Sequence, residues 1–405
     1  MVSLQRNGKH GVSPLPFPFH AVVLLRLVFS DMSKKYKRIV IKVGTSTLTN
    51  EQGMIDRAYL ESLVSQIADV KSGGTDELLV TSGAIRAGIE RMGLAERPKT
   101  IPEKQAAAAV GQGLLMQVYS EIFERHDITT GQVLLTREDF GDRRRYLNAR
   151  NTMLTLFRHG VVPVVNENDT VAVDEIRVGD NDNLAALVAS SLEADLLIIL
   201  SDVAGLYDAD PAKSPHARVI PVVAQIDDRI RSIAGDARDS STGGMRTKIE
   251  AAEIAMSCGV TMVVADGRRP NVIPDIAAGK QVGTMFLPKT EPLCGRKRWI
   301  AFGAPARGGI VVNDGAKKMI CERGKSLLAV GVTDVKGDFA SGDIVNVLDR
   351  QGNQFARGFV NYSASEVERI EGKRSSEIEG ILGYKDFDEV IHRDNMVLGD
   401  SVAGC

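Results

Sequence analysis

Short apolar runs alternate with amphipathic stretches from Arg38 onward. "RIVIKVG" is a short apolar run, interrupted by Lys42 and ending at Gly44, and reads as a buried strand. "RAYLESLVSQIADVKSGG" has apolar residues at helical spacing and a Gly-Gly stop. "ELLVTSGAIRAG" predicts a strand running into a helix, "KQAAAAVGQGLLMQVYSEIFERH" a long helix, and "ITTGQVLLT" a strand. The alternation continues through the helix "NARNTMLTLFRHG", the strand "VVPVV", the helix "DNLAALVASSLEA" and the strand "DLLIILSD". It closes with the helix "GMRTKIEAAEIAMSCG" and the strand "VTMVVADG". Parallel strands need crossover connections, so this order predicts a parallel-rich sheet with helices on both faces. Ligands of such sheets sit at the carboxyl ends of the strands.

The pattern changes after about Gly283. "LPKTEPLCGRKRWIAFGAPARGG" is rich in proline, glycine and basic residues and reads as a linker. Beyond it, short β-branched runs separated by Gly and Asp predict a small β-rich unit with little helix. The expected division is an extension over 1–32, a main domain over 33–290, a linker over 291–306 and a second domain over 307–390. The run "AVVLLRLVF" in the extension is broken by Arg26, too short to span a bilayer, and followed by no small-residue cleavage site. Met32 opens "MSKKYKRIVIKVG", which reads as a natural start, so the segment before it is expected to be disordered or untranslated.

Length changes this picture little: 405 residues exceed one ordinary core and agree with two domains. A net charge of −2 gives no bulk pull toward nucleic acid or membrane. Cys258, Cys294, Cys321 and Cys405 show no CxxC spacing and read as reduced thiols of a cytoplasmic protein.

The chemistry lies in the polar residues just after the predicted strands. Neither GxxxxGK[ST] nor GxGxxG occurs. Instead, Lys42 ends a strand and is followed by Gly44, Thr45 and Ser46, where backbone N–H groups and one cation can approach an anion. Such a lysine is also commonly a snorkelling edge residue. "STGGMRTKIEAA" places Gly243 and Gly244 before a helix and Lys248 in its first turn, beside the positive helix end. Ser201 and Asp202 end a strand before the loop "GLYDADP", which fits a nucleoside or a plain turn. "NENDTVAVDEIRVGDNDN" crowds carboxylates and amides from Asn166 to Asn183, as ligands for something small, polar and charged.

Seven motifs in order, "VTSGAI", "KQAAAAVGQG", "LNARNT", "VVPVVNEND", "VGDNDNLAALVA", "GLYDADP" and "TGGMRTK", resemble the amino-acid kinase superfamily. Within it they resemble the bacterial branch whose acceptor is the side-chain carboxylate of L-glutamate. The resemblance is dense from Lys37 to Val282, and the C-terminal segment resembles a PUA domain. It implies a three-layer αβα sandwich plus a small β-rich PUA-like barrel. It implies transfer of the γ-phosphoryl group of ATP, with Mg²⁺, to L-glutamate, the first step of proline biosynthesis. Lys42, Asp182 and Lys248 are then catalytic, and Ser82, Asp169 and Asn181 hold glutamate, with Asn166 and Asp180 in support. Lys42, Ser201, Asp202, Thr242, Gly243, Gly244, Met245, Arg246, Thr247 and Lys248 hold the nucleotide. No protein metal cage is expected. A homo-oligomer and proline as feedback inhibitor are further implications. The sequence departs from the pattern at Ser241, where the family often has Gly, and in the short loop "GDARDSS", which leaves that loop's shape open.

Two other readings stand beside this one. PUA domains commonly bind RNA, but Lys317, Lys318, Arg323 and Lys325 are mixed with Asp334, Asp338, Asp343 and Asp349, so no basic stripe forms. Another superfamily kinase, such as aspartokinase, is disfavoured by the pairing of "NEND" with "GDNDN".

Overall fold

The computed structural model describes residues 36–399, apart from 51, 173–180, 212, 215, 234–243, 291, 294–296, 298 and 304. The expected extension therefore lies outside the described residues.

Eight strands form the larger sheet: β1 (Arg38–Val43), β2 (Asp76–Val80), β3 (Thr130–Leu135), β4 (Val162–Glu167), β5 (Leu196–Ser201), β6 (Val222–Val223), β7 (Thr261–Asp266) and β8 (Thr284–Phe286). Their order is β3-β4-β2-β1-β5-β7-β8-β6. All neighbours are parallel except β7 and β8. The connection from β7 to β8 carries the short helix Val272–Ala277, and β8 returns antiparallel to β7 in a sheet that is otherwise parallel, as the alternation predicts.

The apolar runs form strands because both faces of the sheet are covered. Ile39, Ile41 and Val43 enter one core with helices α1 (Arg57–Ser72) and α3 (Ile101–Glu124). Val40, between them, enters the opposite core with α4 (Arg143–Arg158), α5 (Asn181–Ser191) and α6 (Met245–Ser257). This period of two along β1 makes the three layers. Helix α3 begins with Thr100 accepting from the Glu103 N–H while the Glu103 carboxylate returns to the Thr100 N–H. Its N-terminal half lies against α2 (Ala84–Met92) without intervening side chains. A Cβ on Gly111 would fall 1.8 Å from the Ala84 carbonyl oxygen, so only glycine permits this approach.

The second sheet has the order β10-β9-β11-β12-β13, from β9 (Gly308–Val312), β10 (Val332–Gly337), β11 (Ile344–Leu348), β12 (Gln354–Phe359) and β13 (Met396–Leu398). Phe355, Tyr362, Val345 and Ile391 are in its core. Two findings revise the expectation for this unit. It carries more helix than its β-branched runs suggest, notably α7 (Asp314–Arg323) and α8 (Ala364–Ile370). Helix α7 is capped by the Asn313 side chain and stopped by left-handed Gly324, signals that a strand-oriented reading passes over. The sheet also runs past the expected limit at 390, since β13 pairs with β12.

Cys258 is free and buried, as expected, but Cys321 is disulfide-bonded, which corrects the reading of four reduced thiols. Sequence spacing excludes CxxC sites but not a bridge between distant positions. Among the described residues no helix is long and apolar enough to cross a membrane.

Candidate active site

The parallel register lines up the carboxyl ends of the central strands. Lys42 of β1 sits opposite Val80 of β2 and Ile199 of β5. Thr81 continues β2 and donates its N–H to Val165 of β4 at 2.9 Å, so Ser82 and Asn166 emerge side by side. Gly83 then takes a φ of 98°, a left-handed turn that lets α2 start at once behind Ser82. The first residues of α5, Asn181 and Asp182, enter from one face of the sheet.

Two clusters result. The first is ionic. Asp182 is fully buried, forms an ion pair with Lys42 Nζ at 2.6 Å and accepts from Lys248 Nζ at 3.1 Å. Both lysines are buried as well. The Thr247 hydroxyl donates to the same carboxylate at 3.0 Å. The trio places two positive charges around one negative charge at the strand ends. Charges buried this far from water persist only in close contact with opposite charge, and removing one partner is costly. Lys248 belongs to the first turn of α6, whose N-cap is Gly244, so the helix end adds its own positive field.

The second cluster is uncharged. Asn181 Nδ2 donates toward the Thr81 carbonyl at 2.8 Å, Ser82 Oγ at 2.7 Å and Asn166 Oδ1 at 3.0 Å. Asn166 Nδ2 donates to Gln112 Oε1 at 2.8 Å. Beneath them the Thr81 and Tyr119 hydroxyls share a hydrogen bond of 2.8 Å, and burial pushes the Tyr119 phenol well above its ordinary value.

The structure thus brings together Lys42, Asp182 and Lys248 in one group, and Ser82, Asn166 and Asn181 in a second. Asp169 lies half-buried in the turn after β4. Ser201 is buried at the end of β5, its hydroxyl 3.1 Å from Asp202, which is exposed. Met245 and Arg246 open α6, with Arg246 turned outward to Glu250 at 3.1 Å. Asp180, Ser241, Thr242, Gly243 and the loop "GDARDSS" lie outside the described residues. The hydroxyl of Thr247, one of the residues expected on the nucleotide, donates to Asp182. Gln112 and Tyr119 were missed. Their one signal was a polar group on the otherwise apolar buried stripe of a long helix.

Among the described residues no group of three His, Cys, Asp or Glu side chains is placed to hold a metal ion. Mg²⁺ that arrives with phosphates keeps most of its ligands as phosphate oxygens and water, and needs no such cage.

A cationic trio at the strand ends, beside a buried amide pocket and a helix N-terminus, belongs to a phosphate-handling α/β enzyme. The family model described as "Amino acid kinase family" matches residues 37–266, and that described as "PUA domain" matches 308–382. The chain belongs to the amino acid kinase family. Its relatives include "Glutamate 5-kinase" of Thermoanaerobacter sp. (strain X514), 54% identical over 89% of this chain and 97% of that protein. "Glutamate 5-kinase" of Moorella thermoacetica is 50% identical over 89% of this chain and 96% of that protein. A solved structure, "Carbamate kinase from Giardia lamblia bound to AMP-PNP", shares 18% identity with a TM-score of 0.47, over 62% of this chain and 99% of that one.

Proposed function

We propose that the chain transfers the γ-phosphoryl group of ATP to the side-chain carboxylate of L-glutamate, giving L-glutamyl 5-phosphate and ADP at the start of proline biosynthesis. The observation that carries this reading is the contact of Lys42 and Lys248 with one buried carboxylate, next to the Ser82–Asn166–Asn181 pocket. A glutamate carboxylate is already ionised at neutral pH, so the acceptor needs no general base. It needs alignment and relief of charge repulsion as negative charge spreads over the transferring group. Lys42 and Lys248 supply cations from two elements, and Asp182 holds both in place. Ser82, Asp169 and Asn181 hold glutamate. Ser201, Asp202 and residues 242–248 hold the nucleotide, with Mg²⁺ bound through phosphate oxygens and water.

The family resemblance further implies cytoplasmic localisation, a homo-oligomer and feedback by proline. The domain division that goes with it is a kinase unit over 33–290, a linker over 291–306 and a PUA unit from 307, extended through β13. RNA binding by that last unit is the second reading. It gains no support from Lys317, which pairs with Asp349 at 3.1 Å instead of joining a cationic face. A salt-dependent RNA titration tests it. The main reading is tested by ATP consumption with L-glutamate, L-aspartate, N-acetylglutamate and UMP side by side. Turnover with glutamate alone is expected, and turnover with any other acceptor in its place overturns the reading.

A further inference from the structure

We propose that the cavity between helices α5 and α6 of the larger unit and strands β12 and β13 of the smaller one binds a small organic phosphate, a phosphate monoester on an apolar body. None of the residues of the ionic or amide cluster lines this cavity, so it is a second site on the chain.

The cavity has a volume of about 380 Å³, the size of a small-molecule pocket. Its walls come from both units. Leu187 belongs to α5 and Ile254 to α6, Arg357 lies on β12, and Phe302 comes from the segment Trp299–Gly303 between the units. Arg137, which opens the short helix Arg137–Gly141 after β3, and Lys289 add two more cations. Three cations thus line one space, and no Asp or Glu is among the described residues that line it.

The charges are placed at some cost. The acidic residues next to Arg137 in the chain are engaged elsewhere, since Glu138 and Asp139 pair with Arg145 at 3.6 and 2.8 Å. Arg357 donates to the Ala301 carbonyl at 2.7 Å, a neutral partner that fixes the guanidinium at the wall without cancelling its charge. Burial, and after it the like charge of Arg137, push the Arg357 guanidinium down to about 10, so it stays charged at neutral pH. Two guanidinium groups that repel each other in partly desolvated surroundings weaken the folded chain. An anion in contact with both replaces that repulsion with attraction.

The lining also selects the class of ligand. Guanidinium forks match the oxygens of a phosphate or carboxylate with pairs of parallel hydrogen bonds. A phosphate monoester carries about two negative charges at neutral pH and answers three cations better than a single carboxylate does. Leu187, Ile254 and Phe302 offer apolar surface. That surface gains nothing from inorganic phosphate and gains by covering a ligand with an apolar body.

Phenyl phosphate serves as the probe, with inorganic phosphate as the anion alone and benzyl alcohol as the apolar body alone. Isothermal titration calorimetry on the full chain compares wild type with Arg137→Gln, and thermal midpoints are read without ligand. Wild type is expected to bind phenyl phosphate at least about tenfold more tightly than either of the other two compounds. Arg137→Gln is expected to weaken phenyl phosphate about tenfold or more, the loss of one charge-assisted contact. Without ligand, Arg137→Gln is expected to melt no lower than wild type, because it removes a like charge from beside Arg357. A lower midpoint would make Arg137 a structural residue and overturn the proposal. So would wild type that does not bind phenyl phosphate, or that binds it no better than inorganic phosphate or benzyl alcohol. Binding that Arg137→Gln leaves unchanged lies elsewhere on the chain, the phosphoryl site included, and overturns it as well.

Discussion

The two edges of the large sheet each bury a carboxyl group completely and treat it in opposite ways. At the carboxyl edge, Asp182 is in contact with two lysine amines at 2.6 and 3.1 Å. At the amino edge, Glu77, the second residue of β2, has Lys71 at 3.8 Å as its nearest cation. Burial pushes the Glu77 carboxyl up to about 8, Lys71 pulls it back in part, and Asp76 adds to the rise. Both side chains belong to parallel strand ends or the helices beside them, and both are fully buried. The difference is what surrounds the charge. One edge assembles contact ions from three elements, as an anion-handling site requires. The other leaves a carboxyl that keeps its proton at neutral pH.

The largest expected effect breaks the ionic edge. Asp182→Asn removes the charge of a carboxylate that contacts two buried amines, and losing one member of a buried pair costs about 3–5 kcal/mol. Denaturant unfolding should show that loss, and kcat should fall more than either KM. A variant of unchanged stability and kcat would show that the trio is not a working unit. Next come Lys42→Ala and Lys248→Ala, each expected to lower kcat about 10²–10³-fold, the usual result of deleting one preorganised charge contact. Near-normal kcat in a folded variant would remove that lysine from the phosphoryl site.

Asp169→Asn sharpens the contrast between the ionic and amide clusters. It should raise the glutamate KM about tenfold or more, through loss of a charge-assisted contact, and leave the ATP KM nearly unchanged. A change confined to ATP would reverse the assignment of the two subsites.

The smallest effect concerns Glu77. Its folded value of about 8 lies above the ordinary 4.5. The stability linked to its proton is therefore fully present below the ordinary value and drains away as pH rises through about 8. Glu77→Gln cannot titrate, so its thermal midpoint should exceed wild type by a few degrees at alkaline pH and approach it in acid. An equal difference at both ends of the pH range would mean that Glu77 does not titrate between them.

Much of the larger unit was legible in the chain. Apolar runs marked β1 and β5, that of β1 broken only by Lys42 within it, because both faces of a parallel sheet are covered, and Gly-Gly marked the end of α1 because glycine tolerates the helix exit. The smaller unit was less legible, because its helix α7 is short and weakly patterned and β13 is only three residues long.

The sequence by itself determined which residues would stand at strand ends and helix starts. Lys42, Ser82, Asn166 and Lys248 are covalently next to the local signals that place them, and periodicity is a local property. Only the tertiary structure decided which of them meet. Lys248 lies 66 positions from Asp182, and Asn166 lies 54 from Gln112. Strand order and register carry these residues to one edge, and no local pattern encodes that order. The same holds for burial. Glu77 and Asp182 are both ordinary acidic letters in the chain, and their opposite surroundings arise because burial and partner distance, which set the balance between desolvation and ion pairing, belong to the folded whole.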